Sequence, residues 1–177
     1  MEYINIITHI ILIMSLGWYL ITNLQWYNYK LERVILKHHK WQWHITYFLS
    51  PIVLFYIIPE PYYAAYFFII YMTSFILWNK KLDRAVVLTS RVKRFLAILL
   101  FTTFAMTALC LSSPSCTNMV IFTPLILTYG ISTLLEKIFF ISFKNKGKQR
   151  IKSIAGLRTI AITASYGKTS IKNYLYH

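Results

Sequence analysis

Charged and apolar residues fall into long blocks along this chain rather than alternating. Tyr3 to Tyr29 contains no charged side chain, and Ile4–Leu24 is its apolar centre. A membrane-crossing helix needs about 20 mainly apolar residues, which predicts a first span over 4–24. The next uncharged stretch, Trp41–Pro59, is near the minimum length and predicts a second span over 43–58. Pro59-Glu60-Pro61 ends it, because proline lacks the N–H that a helix interior requires. A third span follows over 62–78. From Phe95 to Leu135 there is again no charge. At about 1.5 Å per residue that stretch makes about 60 Å of helix, twice the roughly 30 Å hydrocarbon core, so it holds two spans. Ser112-Ser113-Pro114-Ser115 supplies the reversal between 95–111 and 119–140. The predicted fold class is an all-α membrane region of about five transmembrane helices over 1–143.

The basic residues sharpen this picture. Lys30, Arg33, Lys37 and Lys40 follow the first span. Lys80, Lys81, Arg84, Arg91, Lys93 and Arg94 follow the third, and Lys144, Lys146, Lys148, Arg150 and Lys152 follow the fifth. The other two reversals, Pro59–Pro61 and Ser112–Asn118, carry no Lys or Arg. Five spans therefore put these links on one side, which the positive-inside rule makes cytoplasmic, with the N-terminus outside and the C-terminus inside. Trp41, Trp43 and Trp78 fit interfacial anchors. Composition agrees: 57% of residues are hydrophobic, only 14% are charged and 18% are aromatic, where a soluble domain has about 25% charged. The formal charge of +14 is thus accounted for by topology, with anionic lipid as an additional partner of the links. No basic–aromatic groove calls for nucleic acid. Two readings of the link Leu82–Arg94 stand side by side, a short amphipathic helix at the interface and a solvated connector. The first span has no basic region ahead of it and no small-residue cleavage site after it, so it reads as a retained anchor rather than a signal peptide.

Polar residues within the spans are few: Thr8, His9, Asn23, Thr73, Thr102, Thr103 and Thr107. They include no Asp/Glu/Arg relay of the kind that transporters use. His38, His39 and His44 cluster after the first span, but their spacing matches no metal-ligand motif. Cys110 and Cys116 read first as unpaired thiols, with a periplasmic disulfide as the alternative.

The composition changes after Phe143. Residues 144–156 form a basic, glycine-containing linker, and Leu157–Thr163 reads as a short strand, its Ile-Ala-Ile centre suiting a parallel sheet buried on both faces. Ala164-Ser165-Tyr166-Gly167-Lys168-Thr169-Ser170 follows, and then a helix start at Ile171–Leu175. Strand, Gly-Lys-Thr and helix is the setting of a phosphate-binding loop. Loop N–H groups and a helix N-terminus cradle an anion. Lys168 brings a point charge to the β/γ phosphates, and the Thr169 hydroxyl is placed to ligate Mg2+. The full Gly-x-x-x-x-Gly-Lys-Ser/Thr pattern is incomplete, because Ile162 stands where its first glycine belongs.

Thr163–Ser170 resembles the ATP-binding loop of the Mur ligase family, usually Thr-Gly-Thr/Ser-x-Gly-Lys-Thr-Thr/Ser. Leu24-Gln25-Trp26-Tyr27 and Arg91-Val92-Lys93-Arg94 resemble the membrane region preceding the ligase core in certain bacterial members. Those members add D-alanyl-D-alanine to the UDP-N-acetylmuramoyl tripeptide in peptidoglycan synthesis. The resemblance implies a truncated α/β ATPase domain starting within 157–177, ATP and Mg2+ as cofactors, and an ATP-dependent carboxylate–amine ligase as the parent enzyme. It implies that residues Ala164 to Ser170 bind ATP, with Gly167 and Lys168 on the phosphates, Thr169 on Mg2+, and Ser165 and Ser170 supporting the loop. It also implies a bacterial inner membrane, with the bilayer and other cell-wall synthesis proteins as partners. Ala164 departs from the family, which has glycine there, and helices stand where the family has a soluble UDP-binding domain. As the chain stops at His177, the expectation is an anchor-and-loop fragment that is inactive by itself. The alternative is a non-enzymatic scaffold that docks wall-synthesis proteins. A small transporter fits less well, for want of intramembrane charge and repeats.

Overall fold

The computed structural model describes residues 2–36, 40–82, 84–112 and 122–154. The chain divides into two units, Met1–Glu136 and Lys137–His177. Its helices are α1 (Glu2–Trp26), α2 (Leu31–Leu36), α3 (Trp41–His44), α4 (Ser50–Ile57), α5 (Glu60–Tyr66), α6 (Met72–Lys80), α7 (Ser90–Ser112) and α8 (Phe122–Lys152). Two π-helical turns join neighbours, Ile45–Leu49 between α3 and α4 and Phe67–Tyr71 between α5 and α6. Among the described residues, four helical runs are long and apolar enough to cross a membrane: Ile4–Trp26, Pro61–Lys80, Ser90–Cys110 and Thr123–Lys152. The span expected at 43–58 is not among them. It is a helical run from Trp41 in segments of four, five and eight residues, short for its purpose. The described residues contain no strand, and the strand and loop expected at 157–177 lie outside them. The reversal expected around 112–118 also lies almost wholly outside them.

In the first unit α1 is the central helix. Leu12, Ile13 and Leu16 on it are fully buried, as are Thr22 and Asn23. The two polar side chains satisfy themselves on their own helix, Thr22 Oγ1 donating to Trp18 O and Asn23 Nδ2 to Tyr19 O, which lets them sit in an apolar interface without an orphan donor. One flank of α1 packs on α7. There Gly17 lies so close to Leu99 that an added Cβ would overlap its Cδ2. Small residues at helix contacts permit this approach, and in lipid close van der Waals packing is a main driver of helix association.

The other flank of α1 packs on an aromatic ladder. Tyr63, Phe67, Tyr71, Phe75 and Trp78 are all buried and succeed one another with ring centroids 6.1, 5.2, 5.7 and 5.3 Å apart. Spacings of four and three residues put them on one helix face. The aromatic stretch Tyr62–Phe75 thus divides between packing and exposed surface. Tyr63, Phe67, Tyr71 and Phe75 of the ladder are its packing side, while Tyr62, Phe68, Ile69 and Ile70 stay exposed. The π-turn at Ile45–Leu49 immediately precedes the first turn of α4, where Pro51 sits. Proline has no N–H for the carbonyl four residues back, here Tyr47 O. Tyr71 Oη donates to that oxygen at 3.2 Å, and Tyr63 Oη donates to Pro51 O at 3.0 Å. Two ladder tyrosines therefore tie the wound-out stretch to the facing helices.

Helix α7 opens with Thr89 as its cap, the Val92 N–H donating to Thr89 Oγ1 at 3.3 Å. α7 and α8 run antiparallel in the first unit. Arg94 meets Glu136 and Thr102 Oγ1 lies 2.9 Å from Thr128 Oγ1, so each two turns gained along α7 are matched by two turns back along α8. Residues 137–152 of α8 belong to the second unit. Sequence reading began a linker at 144, whereas the helix continues to Lys152.

Candidate functional site

The ATP-binding residues expected at Ala164, Ser165, Tyr166, Gly167, Lys168, Thr169 and Ser170 lie outside the described residues, as do His38, His39 and Cys116. Within the described residues, the polar chemistry concentrates at the end of the first unit that carries the basic links. Contacts bring together there the C-terminal part of α1, the chain before α3, the end of α6 and the start of α7.

The charged centre of this end is Arg91–Glu136–Arg94. Arg91, Lys93 and Arg94 occupy the first turns of α7, which have no acidic residue. Cations are unfavourable at a helix N-terminus. Glu136 from α8 supplies the missing anion: its Oε2 lies 3.6 Å from Arg91 Nε, and its Oε1 accepts from Arg94 Nη2. The arginine side chains are about one-third exposed and Glu136 less so, so the cluster is stronger than a surface pair but not desolvated. Tyr29 covers the second side of Arg91, with the guanidinium 3.7 Å from the ring centroid. The backbone makes that placement. Asn28 and Tyr29 adopt φ of 55° and 58°, and Tyr29 N–H closes on Leu24 O at 2.6 Å. A left-handed conformation is uncommon for a bulky residue and costs on the order of 1–3 kcal/mol. The cation–π contact returns about 0.5–1 kcal/mol of this at a partly exposed site.

Around the centre, polar side chains hold the links in place. Gln25 forms a two-point clamp on the backbone of Val87, accepting from its N–H at 3.0 Å and donating to its carbonyl at 2.8 Å. Residues 84–89 are accordingly non-helical, so the short amphipathic helix that was one reading of the link does not form there, and α7 begins only at Ser90. Trp18 Nε1 donates to Asn79 Oδ1 at 3.1 Å. His44 bridges α1 and the first link, with Nε2 at 3.0 Å from Val34 O and Nδ1 at 2.8 Å from Tyr19 Oη. A carbonyl only accepts, so Nε2 carries a proton and donates to Val34 O, while Nδ1 and the Tyr19 hydroxyl share the second bond. His44 is thus a structural bridge. Among the described residues no three His, Cys, Asp or Glu side chains gather as a metal site. The cavity bordered by Leu24, Tyr29, Arg91 and Ser132 has about 10 Å3, the room of one water, which is too small for a nucleotide.

No protein-family model matches the chain, and no curated protein or solved structure matches it significantly.

The roles of Glu136, Tyr29 and Gln25 are absent from the sequence expectations, and His44 figures there only in a histidine cluster without metal-ligand spacing. Arg91 and Arg94 three residues apart on a helix, with a lone glutamate ending an apolar span, was an available signal for the first. The Gln25 clamp leaves no local trace. Cys110 is disulfide-bonded, which corrects the first reading of it as an unpaired thiol. It lies at the end of α7 away from the basic links.

Proposed function

We propose that this chain is the membrane anchor and ATP-binding loop of an ATP-dependent carboxylate–amine ligase of peptidoglycan synthesis, held in the bacterial inner membrane by five passes. The observation that carries the proposal is the sequence Thr163–Ser170, with Gly167-Lys168-Thr169 after a run of strand character and before a helix start. It stands on the basic, cytoplasmic side of the anchor, where ATP is found. When bound, ATP supplies the phosphoryl group that activates a carboxylate for attack by an amine. Lys168 and the loop N–H groups hold its phosphates, and Thr169 meets Mg2+. The resemblance names the acceptor as the UDP-N-acetylmuramoyl tripeptide and the amine as D-alanyl-D-alanine. The anchor keeps the reaction beside membrane-bound wall synthesis and its proteins.

Five passes, rather than four, follow from parity. The first and third links are both basic, and Gln25 and Val87 from the two flanking regions touch. If Pro61–Lys80 crosses the bilayer, a second crossing has to lie between those links, and only the run from Trp41 to Ile57 is available. It is about 25 Å long, somewhat below the hydrocarbon thickness, and a short span is accommodated by local thinning at modest cost.

Photolabelling with an azido-ATP analogue tests the nucleotide reading, using the gene product in its native membranes. Mg2+-dependent labelling that Lys168→Ala abolishes is the expected result. Labelling unchanged by Lys168→Ala, or none at all, refutes it and leaves the membrane region as a scaffold for wall-synthesis proteins.

A further inference from the structure

The basic end of the first unit presents apolar and cationic side chains together on a fixed surface. Gln25 holds the link at Val87, yet the Val87 and Leu88 side chains project, 63% and 54% exposed. Lys80, Lys81 and Arg84 beside them are also exposed. The first link repeats the pattern, with Leu36 81% and Trp41 61% exposed and Lys30 exposed. Glu32 is the one exposed acidic residue described in these links, and Glu136 is already engaged by Arg91 and Arg94. Apolar side chains standing among cations are poorly placed in water. They are well placed at a bilayer boundary, where the apolar groups enter the acyl region and the cations meet negative headgroups. The five tryptophans support this placement. All of them (Trp18, Trp26, Trp41, Trp43 and Trp78) border this end, Trp43 lying 6.3 Å from Trp26 and 5.8 Å from Trp78, and tryptophan is an interfacial residue.

We propose that this surface selects anionic phospholipids, with Lys80, Lys81 and Arg84 as the headgroup contacts and Val87, Leu88, Leu36 and Trp41 inserted beside them. The proposal rests on bilayer embedding and not on the ligase reading.

Tryptophan quenching by brominated lipid tests it, because Trp41 is exposed on the surface concerned and Trp26 and Trp43 lie half-buried beside it. The full chain is reconstituted in an equal mixture of phosphatidylcholine and phosphatidylglycerol, with the bromines on one lipid or the other. Flotation with the vesicles reports embedding separately. The expected result is a preference for phosphatidylglycerol of roughly fivefold, of the size that a few near-surface charges provide. Added salt weakens it. The triple variant K80Q/K81Q/R84Q lowers it toward one while its emission in pure phosphatidylcholine is unchanged. If that variant does not fold, the salt series on the unaltered chain decides. Equal quenching by the two lipids overturns the proposal and turns the surface toward an acidic protein partner. A preference that resists salt, or survives in a folded triple variant, overturns it as well.

Discussion

Glu136 is the residue on which the start of α7 depends electrostatically. It faces two arginines at the positive end of a helix that has no acidic residue of its own in the first turn. Glu136→Gln keeps the shape and removes the charge. We expect it to destabilise the first unit by about 1 kcal/mol, since all three side chains remain partly in water. Arg94→Gln added to it should cost less than it does alone, the non-additivity of a shared contact. Thermal unfolding in detergent for the two single variants and the double variant measures this. Strictly additive losses would show that the ion pair contributes nothing. Gly17 is the steric counterpart. An added methyl has to displace the Leu99 side chain, which is fully buried. Gly17→Ala should therefore destabilise by about 1–3 kcal/mol, as overpacking does, and Leu99→Ala should recover part of that loss when combined with it. A Gly17→Ala variant as stable as the parent would mean that α1 and α7 do not approach this closely. The sequence gives no sign of the first role, where Gly17 is one small residue in an apolar run, and only a partial sign of the second, where Glu136 is a lone charge at the end of another. Each acquires its role only from the helix packed against it.

Among the elements, the run from Trp41 to Ile57 shows where pattern reading succeeds and where it stops. An uncharged stretch bounded by Pro59 announces a helix, because bilayer thickness and the missing proline N–H are both visible in one dimension. The π-turn ahead of Pro51 is not visible, because its relief comes from Tyr71 and Tyr63 on a later element. Tyr71→Phe removes the hydroxyl that donates to Tyr47 O, and also the contact with Ser15 Oγ at 3.3 Å. We expect a loss of about 1 kcal/mol, the usual net value of one hydrogen bond. In a Pro51→Ala background the restored N–H supplies Tyr47 O with a donor from its own helix. The same Tyr71→Phe change should then cost distinctly less, and an equal cost in both backgrounds would sink the account. The continuation of α8 past 143 has a similar lesson. Lys, Arg and Gln mark a hydrophilic linker by composition, yet they are good helix formers, and Arg150 and Lys152 suit the negative end of a helix. By contrast, the loop Ala164–Ser170 rests on sequence likeness alone, because a phosphate site is written in local order and needs no distant partner to be noticed.

At the scale of the whole molecule, orientation is the question that joins the sequence to the proposed activity. Two features bear on it independently. The basic links gather at one end of the first unit, which the positive-inside rule assigns to the cytoplasm. Cys110, at the far end of α7, is disulfide-bonded, and disulfides persist on the oxidising side of a membrane. If α7 and α8 both cross, both features put the Gly167-Lys168-Thr169 sequence on the ATP side, because two crossings separate it from the link at Val87; the run from Trp41 to Ile57 decides instead the side of the first link and of the N-terminus. The prediction is therefore sharp. In intact spheroplasts, a membrane-impermeant reductant followed by an impermeant maleimide should label the native cysteines. In a variant with both native cysteines replaced by serine, a single cysteine introduced at Val87, an exposed site on the link, should stay unlabelled until the membrane is opened. One introduced at Thr46, inside the disputed run, should be protected from the maleimide on both sides. Labelling of the Val87 cysteine from outside would invert the anchor and remove the loop from its nucleotide. Labelling of the Thr46 cysteine after opening, with Val87 still internal, would reduce the passes to four and leave the loop inside, but would put the first link on the outer face, against the contact of Gln25 with Val87.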